Sequence, residues 1–342
     1  MKRVSIKDIA RITGTSPTTV SFVLNGKADK MRISREVADR VIAASRSEGY
    51  FPNQVAVSLR TGHTNILGLL VESMGGQFFA RLAHAVEKEA SLFGYKIVYC
   101  SSENDKERGR DMVQMLAQRQ MDGYLITPAF GMEEELQWLQ KQGKPIVQVD
   151  SYLPGIELPY VLVDSYNGVM TGVDHLVANG RRNIAFVTVD LNLVQIHDRE
   201  NGYRDGLRKY GLADTEAVLS IAYEHVGNEN GVKTIADFLR AHPETDALFF
   251  ATNYLGIMGL EAIVQLKLGM PEDIAILSFD DHDVFRLYPT GISVIEQPIE
   301  AIGSTSVQLL MDQLGKYDAP GKGLPCQVKL SPRLVVRQST IK

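Results

Sequence analysis

From Asn65 onward, short apolar runs alternate with amphipathic stretches. Ile66–Val71, Tyr95–Cys100, Gly123–Thr127, Pro145–Val149, Val161–Val163, Asn183–Val189, Asp246–Ala251 and Ile274–Phe279 read as strands. Phe78–Phe93, Arg108–Arg119, Gly168–Ala178, Asn201–Tyr210, Gly231–Ala241 and Leu255–Leu268 read as helices between them. This alternation predicts a parallel sheet flanked by helices on both faces. The strands are too many for one sheet of usual size, so the expected body is α/β, with two doubly wound lobes. Ligands of such folds sit at the carboxyl ends of the strands, here in a cleft between lobes.

The first fifty residues follow another pattern. Val4–Gly26 reads as two short helices joined by a tight turn. Ser5 caps the first, with Asp8 completing a capping box, and Gly14 supplies the turn through positive φ. Ser16 caps the second, with Pro17 at the first helical position, where a missing N–H costs nothing. Ile6, Ile9, Ala10, Val20 and Leu24 face inward, which leaves Thr18, Thr19, Ser21 and Phe22 outside. That is helix-turn-helix geometry, in which the second helix enters a DNA major groove. A small helical hairpin without a ligand fits the same pattern. A third helix is expected from Ser34 to Glu48, ended by Gly49. Gln54–Arg60 spans about two turns, too short to stand alone in water. It is either a linker or a segment that folds only against a partner such as duplex DNA.

Charge sharpens this division. Residues 1–62 hold eleven Lys and Arg against five Asp and Glu, a net of +6. The remainder holds 25 basic against 36 acidic residues, a net of −11, so only the head is expected to meet phosphate. The overall charge of −5 conceals this asymmetry. Two cysteines, Cys100 and Cys326, are too few for a disulfide framework or a structural zinc site, and no metal or cofactor is expected. No signal peptide or membrane span is read, so the expected location is cytoplasmic.

Several motifs then occur in order. The head carries Ile6-Lys-Asp-Ile-Ala10 and Thr19-Val-Ser-Phe-Val-Leu-Asn-Gly26, and the linker Pro52-Asn53, Ala56 and Leu59-Arg-Thr-Gly62. The body carries Phe78-Phe79, Asp122-Gly123, His175-Leu176, Arg199 with Gly202-Tyr-Arg204, Thr252-Asn253, Phe279-Asp-Asp281, Gln297-Pro298 and Arg333-Leu-Val-Val-Arg337. Together they resemble the LacI/GalR family of bacterial transcription regulators over nearly the whole chain. The resemblance implies an all-α helix-turn-helix head on a periplasmic-binding-protein-like body. It also implies a homodimer on a pseudo-palindromic, double-stranded operator, controlled by a small-molecule effector, with no membrane partner. The expected division is a head at 1–50, a hinge helix at 51–63, a first lobe at 64–162 plus 294–324, and a second lobe at 163–293 plus 325–342.

By this resemblance DNA contacts fall on Ser5, Ser16, Pro17, Thr18, Thr19, Ser21, Phe22, Asn25, Tyr50, Asn53, Ala56 and Leu59. Leu59 is expected to wedge into the minor groove, where unstacking a base step kinks the duplex. Leu59→Ala is therefore expected to weaken operator affinity and leave effector binding intact, as a titration at fixed salt would check. Pro17 and Phe22 depart from the hydrogen-bonding residues common at these positions. Pro17 donates nothing and Phe22 suits a thymine methyl, so shape readout carries more of the specificity. The loop Lys27–Ile33 is about three residues longer than the common form, and its Lys27, Lys30 and Arg32 suit either phosphate or solvent.

Effector contacts are expected from Glu72, Phe78, Phe79, Asp150, Arg199, Asn253, Asp280 and Gln297. Arg199 is read in a loop before a helix, where the resemblance implies a grip on effector hydroxyl or acidic groups; a surface salt bridge is the other reading. Asp280 and Asp150 end strands, and Phe78 and Phe79 supply apolar faces. Two departures stand out: Glu72 adds a carboxylate, and Val226 replaces a stacking aromatic. A carboxylate-rich pocket disfavours anions, so a neutral sugar is the expected ligand class. A stand-alone sugar-binding protein would share the two-lobe plan, but the basic head argues against it. No Gly-x-Gly-x-x-Gly, P-loop, Gly-x-Ser-x-Gly or His-Glu-x-x-His motif supports an enzyme.

Overall fold

Three short helices, α1 (Ile6–Thr13), α2 (Pro17–Leu24) and α3 (Arg35–Ser47), begin where the hydroxyls of Ser5, Ser16 and Ser34 accept from backbone N–H groups. The computed structural model describes residues 4–50, 58, 62–315 and 326–341. It divides into two compact units, Met1–Thr64 and Asn65–Lys342. In the first, Asp8 accepts from the Ser5 N–H at 3.0 Å to complete the capping box, and Gly14 turns the chain at φ 64°. Ile9, Ala10, Val20, Val23 and Val41 form its small core. Val23 takes the inner place expected for Leu24, while Leu24 and Ile6 pack at the margin. The hinge segment expected at 51–63 lies mostly outside the described residues.

The second unit contains two six-stranded sheets. The first is built from β1 (Ile66–Val71), β2 (Lys96–Ser101), β3 (Gly123–Ile126), β4 (Ile146–Val149), β5 (Tyr160–Val163) and β11 (Gln327–Leu330), in the order β11-β5-β4-β3-β1-β2. The second is built from β6 (Ile184–Asp190), β7 (Ala217–Ala222), β8 (Ala247–Phe250), β9 (Ala275–Phe279), β10 (Ser293–Glu296) and β12 (Arg333–Val335), in the order β12-β10-β9-β8-β6-β7. The second order repeats the first, so β4 and β9 hold equivalent places. All pairs are parallel except β10 with β12. The central strands are buried along nearly their whole length because helices cover both faces.

The helices following the strands are α4 (Gln77–Leu92), α5 (Lys106–Gln118), α6 (Glu133–Lys141), α7 (Ser165–Ala178), α8 (Val194–Lys209), α9 (Glu229–Ala241), α10 (Asn253–Leu266), α11 (Asp283–Leu287) and α12 (Ile299–Gln313). The chain passes between the sheets after β5, after β10, and between β11 and β12. The first and third passages touch, since the Asp164 N–H donates to the Leu330 carbonyl at 2.9 Å.

The lobe boundaries read from sequence need three corrections, the smallest being Val163, expected in the second lobe but ending β5 in the first sheet. Residues 294–296, expected in the first lobe, belong to the second sheet because β10 pairs with β9. Residues 327–330, expected in the second lobe, belong to the first sheet because β11 pairs with β5. Each sheet leaves one edge open, and the C-terminal segment covers that of β5 before crossing to β10.

Helices α7 and α8 meet at Gly202, where an added Cβ would stand 2.5 Å from the Tyr166 carbonyl oxygen. Backbone cannot yield as a flexible side chain can. Gly202→Ala is expected to cost about 1–3 kcal/mol, read as a lower urea midpoint.

Candidate functional site

In the head, the hydroxyl-rich face of α2 is partly committed to its own helix. Ser16 Oγ accepts from the Thr19 N–H at 3.0 Å and shares a hydrogen bond with Thr19 Oγ1 at 2.9 Å. Asn25 Nδ2 donates to the Ser21 carbonyl at 2.6 Å, closing the helix end. Pro17, Thr18 and Asn25 are exposed, while Thr19, Ser21 and Phe22 are half-buried. Ser5 is exposed and engaged in the first cap. Tyr50 packs against the head core. Asn53, Ala56 and Leu59 lie outside the described residues.

In the body, the carboxyl ends of β1, β4, β6, β8 and β9 converge on a cavity of about 220 Å³. All eight side chains singled out for the effector line it: Glu72, Phe78, Phe79, Asp150, Arg199, Asn253, Asp280 and Gln297. Phe78 and Phe79 stand edge to face, 5.0 Å between centroids, and belong to the core as well as to the wall. Asp150 and Asp280 occupy equivalent strand ends. Both adopt left-handed backbone, φ 67° and 68°, which is uncommon outside glycine and is held here by hydrogen bonds from their N–H groups to β5 and β10 carbonyls.

Arg199 is the cation among the lining residues. It lies inside α8 and not in a loop before it; the polar run His197-Asp198-Arg199-Glu200 hid the helix start from a hydrophobic pattern. It is not a surface residue either. Its Nη1 donates to the Ala251 carbonyl at 2.7 Å, its Nε to Ser165 Oγ at 3.3 Å, and its guanidinium lies 3.8 Å from the Phe279 ring centroid. Asp280 Oδ2 stands 4.0 Å from Arg199, and Asp280 Oδ1 accepts from Gln297 Nε2 at 2.6 Å.

Burial pushes Glu72 up to about 7, with Asn104 and Arg199 opposing it. Burial likewise raises Asp150 to about 7, again against Arg199, and lifts Asp280. The sign for stability follows from linkage. Unfolding returns these carboxyls to about 4, so the folded body holds extra protons between about pH 4 and pH 7. Stability contributed by these groups is expected to fall as pH rises through that window. Urea midpoints across it would check this, and Asp150→Asn should flatten the slope.

The cavity also has unspent hydrogen-bonding capacity. Gln195 Oε1, Asn253 Nδ2 and Gln297 Oε1 are buried without a partner among the described residues. Helices α4, α8 and α10 start at its wall, and none has a side-chain cap, so their first N–H groups are left for a ligand or water.

Sequence reasoning missed Gln195, Tyr223 and Tyr254, which also line the cavity. Gln195 was hidden with the start of α8. Tyr223 follows β7, a strand whose half-buried pattern gives a weaker apolar run. Tyr254 follows Asn253 at the start of α10, where the strand-end rule would have found it. Val226 lines the wall, so Tyr223 and Tyr254 supply the aromatic surface it lacks. Asp281 serves neither the cavity nor a helix cap; it binds Arg337 through both oxygens. His175 donates or accepts at Thr340 Oγ1, 2.7 Å away, a structural role.

Comparisons with known proteins agree with this division. The profile for bacterial regulatory proteins of the lacI family matches residues 5–53, and that for a periplasmic binding protein-like domain matches residues 173–340. A ribose operon repressor from Halalkalibacterium halodurans is 28% identical over 336 residues, covering 98% of this chain and 97% of that protein. The transcriptional repressor PurR from Haemophilus influenzae is 26% identical over 337 residues, covering 98% of each. The lac repressor dimer bound to operator and an anti-inducer superposes with a TM-score of 0.85 at 21% identity, covering 100% of both chains. Among the described residues, no helix is long and apolar enough to cross a membrane. Head, body, strand-end cavity and matched relatives converge, and the chain belongs to the LacI family of bacterial regulatory proteins.

Proposed function

We propose that the protein is a transcriptional repressor acting in the cytoplasm as a homodimer, with operator affinity governed by a sugar or related metabolite in the body cavity. One observation carries the reading. A cationic helix-turn-helix unit shares a chain with a separate two-lobed unit whose strand ends meet at a cavity of apolar walls set with a few charged and amide side chains. Phosphate contacts supply most of the head's affinity, and Thr18 and Phe22 are the side chains of α2 suited to base edges. Effector contacts come from Arg199, Asp280, Asn253 and Gln297 on the second lobe's side, with Glu72, Asp150, Phe78 and Phe79 opposite. A ligand bridging both walls favours one lobe arrangement, and reciprocity requires DNA to change effector affinity by the same factor. On this reading the cavity senses and does not catalyse.

A mobility shift with promoter fragments, run with and without candidate sugars at moderate ionic strength, tests the proposal. Retention of a specific fragment that responds to a cavity ligand is expected. Failure to retain any fragment under either condition would overturn it.

A further inference from the structure

The formal charges in the cavity do not balance. Glu72, Asp150 and Asp280 face one guanidinium, that of Arg199. Arg199 commits Nη1 to the Ala251 carbonyl and Nε to Ser165 and leans on Asp280, which takes a further bond from Gln297. Among the described residues, neither Glu72 nor Asp150 has a cationic partner within ion-pair distance. Two carboxylates lining the cleft are therefore open to a positive group.

The surroundings of Glu72 suit one chemistry. Tyr223 and Tyr254 line the cavity beside it, with Asn104 at its flank. A carboxylate beside the Tyr223 hydroxyl and the Asn104 amide attracts an ammonium through charge and shared hydrogen bonds. The uncapped starts of α4, α8 and α10 offer N–H donors to the same space, which suits ligand oxygens. Donors and carboxylates lining one cavity suit a ring bearing hydroxyls and an amine.

We propose that the effector is an amino sugar or aminated polyol whose protonated amine is held by Glu72, with Asp150 sharing the charge. This rests on the reading of the cavity as the effector site and narrows its ligand class. The upward displacement of Glu72 and Asp150 fits, since a bound cation stabilises both ionised forms and would release protons near neutrality.

Calorimetry and thermal shift on the full-length protein test it, with glucosamine, galactosamine and mannosamine as probes. Each is run beside its neutral parent hexose and its N-acetyl derivative, which keeps the nitrogen and removes the charge. At least one amine is expected to bind about ten-fold tighter than its parent and its N-acetyl form. Glu72→Gln is expected to remove that margin, so that on the variant the amine binds no tighter than its own parent and N-acetyl form. A parent or N-acetyl form that binds as tightly as its amine overturns the proposal, and so does the absence of binding by all three amines. The comparison among ligands on the native protein needs no variant, so a Glu72→Gln protein that failed to fold would not remove the test. Operator retention is measured separately; a regulator that prefers a neutral sugar would sink this inference and leave the proposed function standing.

Discussion

Arg199→Ala is expected to destabilise the body by about 3–5 kcal/mol at neutral pH, the cost of breaking a buried charge pair from one side. The side chain is 4% exposed, so solvent does little to screen the loss. Removing it strips Asp280 of its nearest cation, leaves the Ala251 carbonyl without its donor and empties the space over Phe279. The three carboxyls then share a cavity lined by no cation among the described residues, which favours their protonated forms. The deficit should therefore shrink on acidification, because protonation removes the repulsion that Arg199 was offsetting. Arg199→Lys should recover only part of it, since an ammonium cannot reach Ala251 and Ser165 with the planar fork of a guanidinium. Urea unfolding at neutral and mildly acidic pH gives the answer. An Arg199→Ala protein with the native midpoint at neutral pH would show that the guanidinium does not hold the cavity together. Effector response should vanish with the same substitution.

Ile9→Ala should abolish operator retention while leaving the body's melting transition in place. Ile9 is fully buried in a core of five side chains, and large-to-small changes at such sites cost about 2–5 kcal/mol. A unit of this size draws no more than about 3–5 kcal/mol from its core, so one substitution is enough to unfold it. The body shares none of that core, and its own transition should be unaltered by calorimetry. A variant that still bound operator with native affinity would mean the head takes its stability from something other than this core.

Most of the second unit was legible because its strands are buried on both faces, and such strands announce themselves as unbroken apolar runs. Four strands escaped: β10 is buried but only four residues long, and the other three have mixed surroundings. β7 is half-exposed, and β11 and β12 are short edge strands whose outward residues are polar. The start of α8 carries the charged and amide side chains that face a cavity, so its pattern is polar where a surface helix would be apolar. The same polar pattern makes Arg199 read as a loop residue although it lies within α8. The cavity residues that were found stand at strand ends, where topology alone predicts a ligand. Asp150 and Asp280 were found in this way, but their shared backbone conformation was not, since nothing in an aspartate's identity announces positive φ.

Two of the three passages of chain between the sheets are bound to each other, the Asp164 N–H donating to the Leu330 carbonyl. Three passages, two of them joined, form a strap that permits rocking and resists shear, since sliding would strain all three and break the Asp164–Leu330 bond. The motion that remains is a pivot, and a pivot converts distance from its axis into displacement. A molecule seated near the strap needs to alter the gap by only a little for surfaces at the far rim to travel much farther. No single residue along the strap should serve as the hinge, because three strands share the bend.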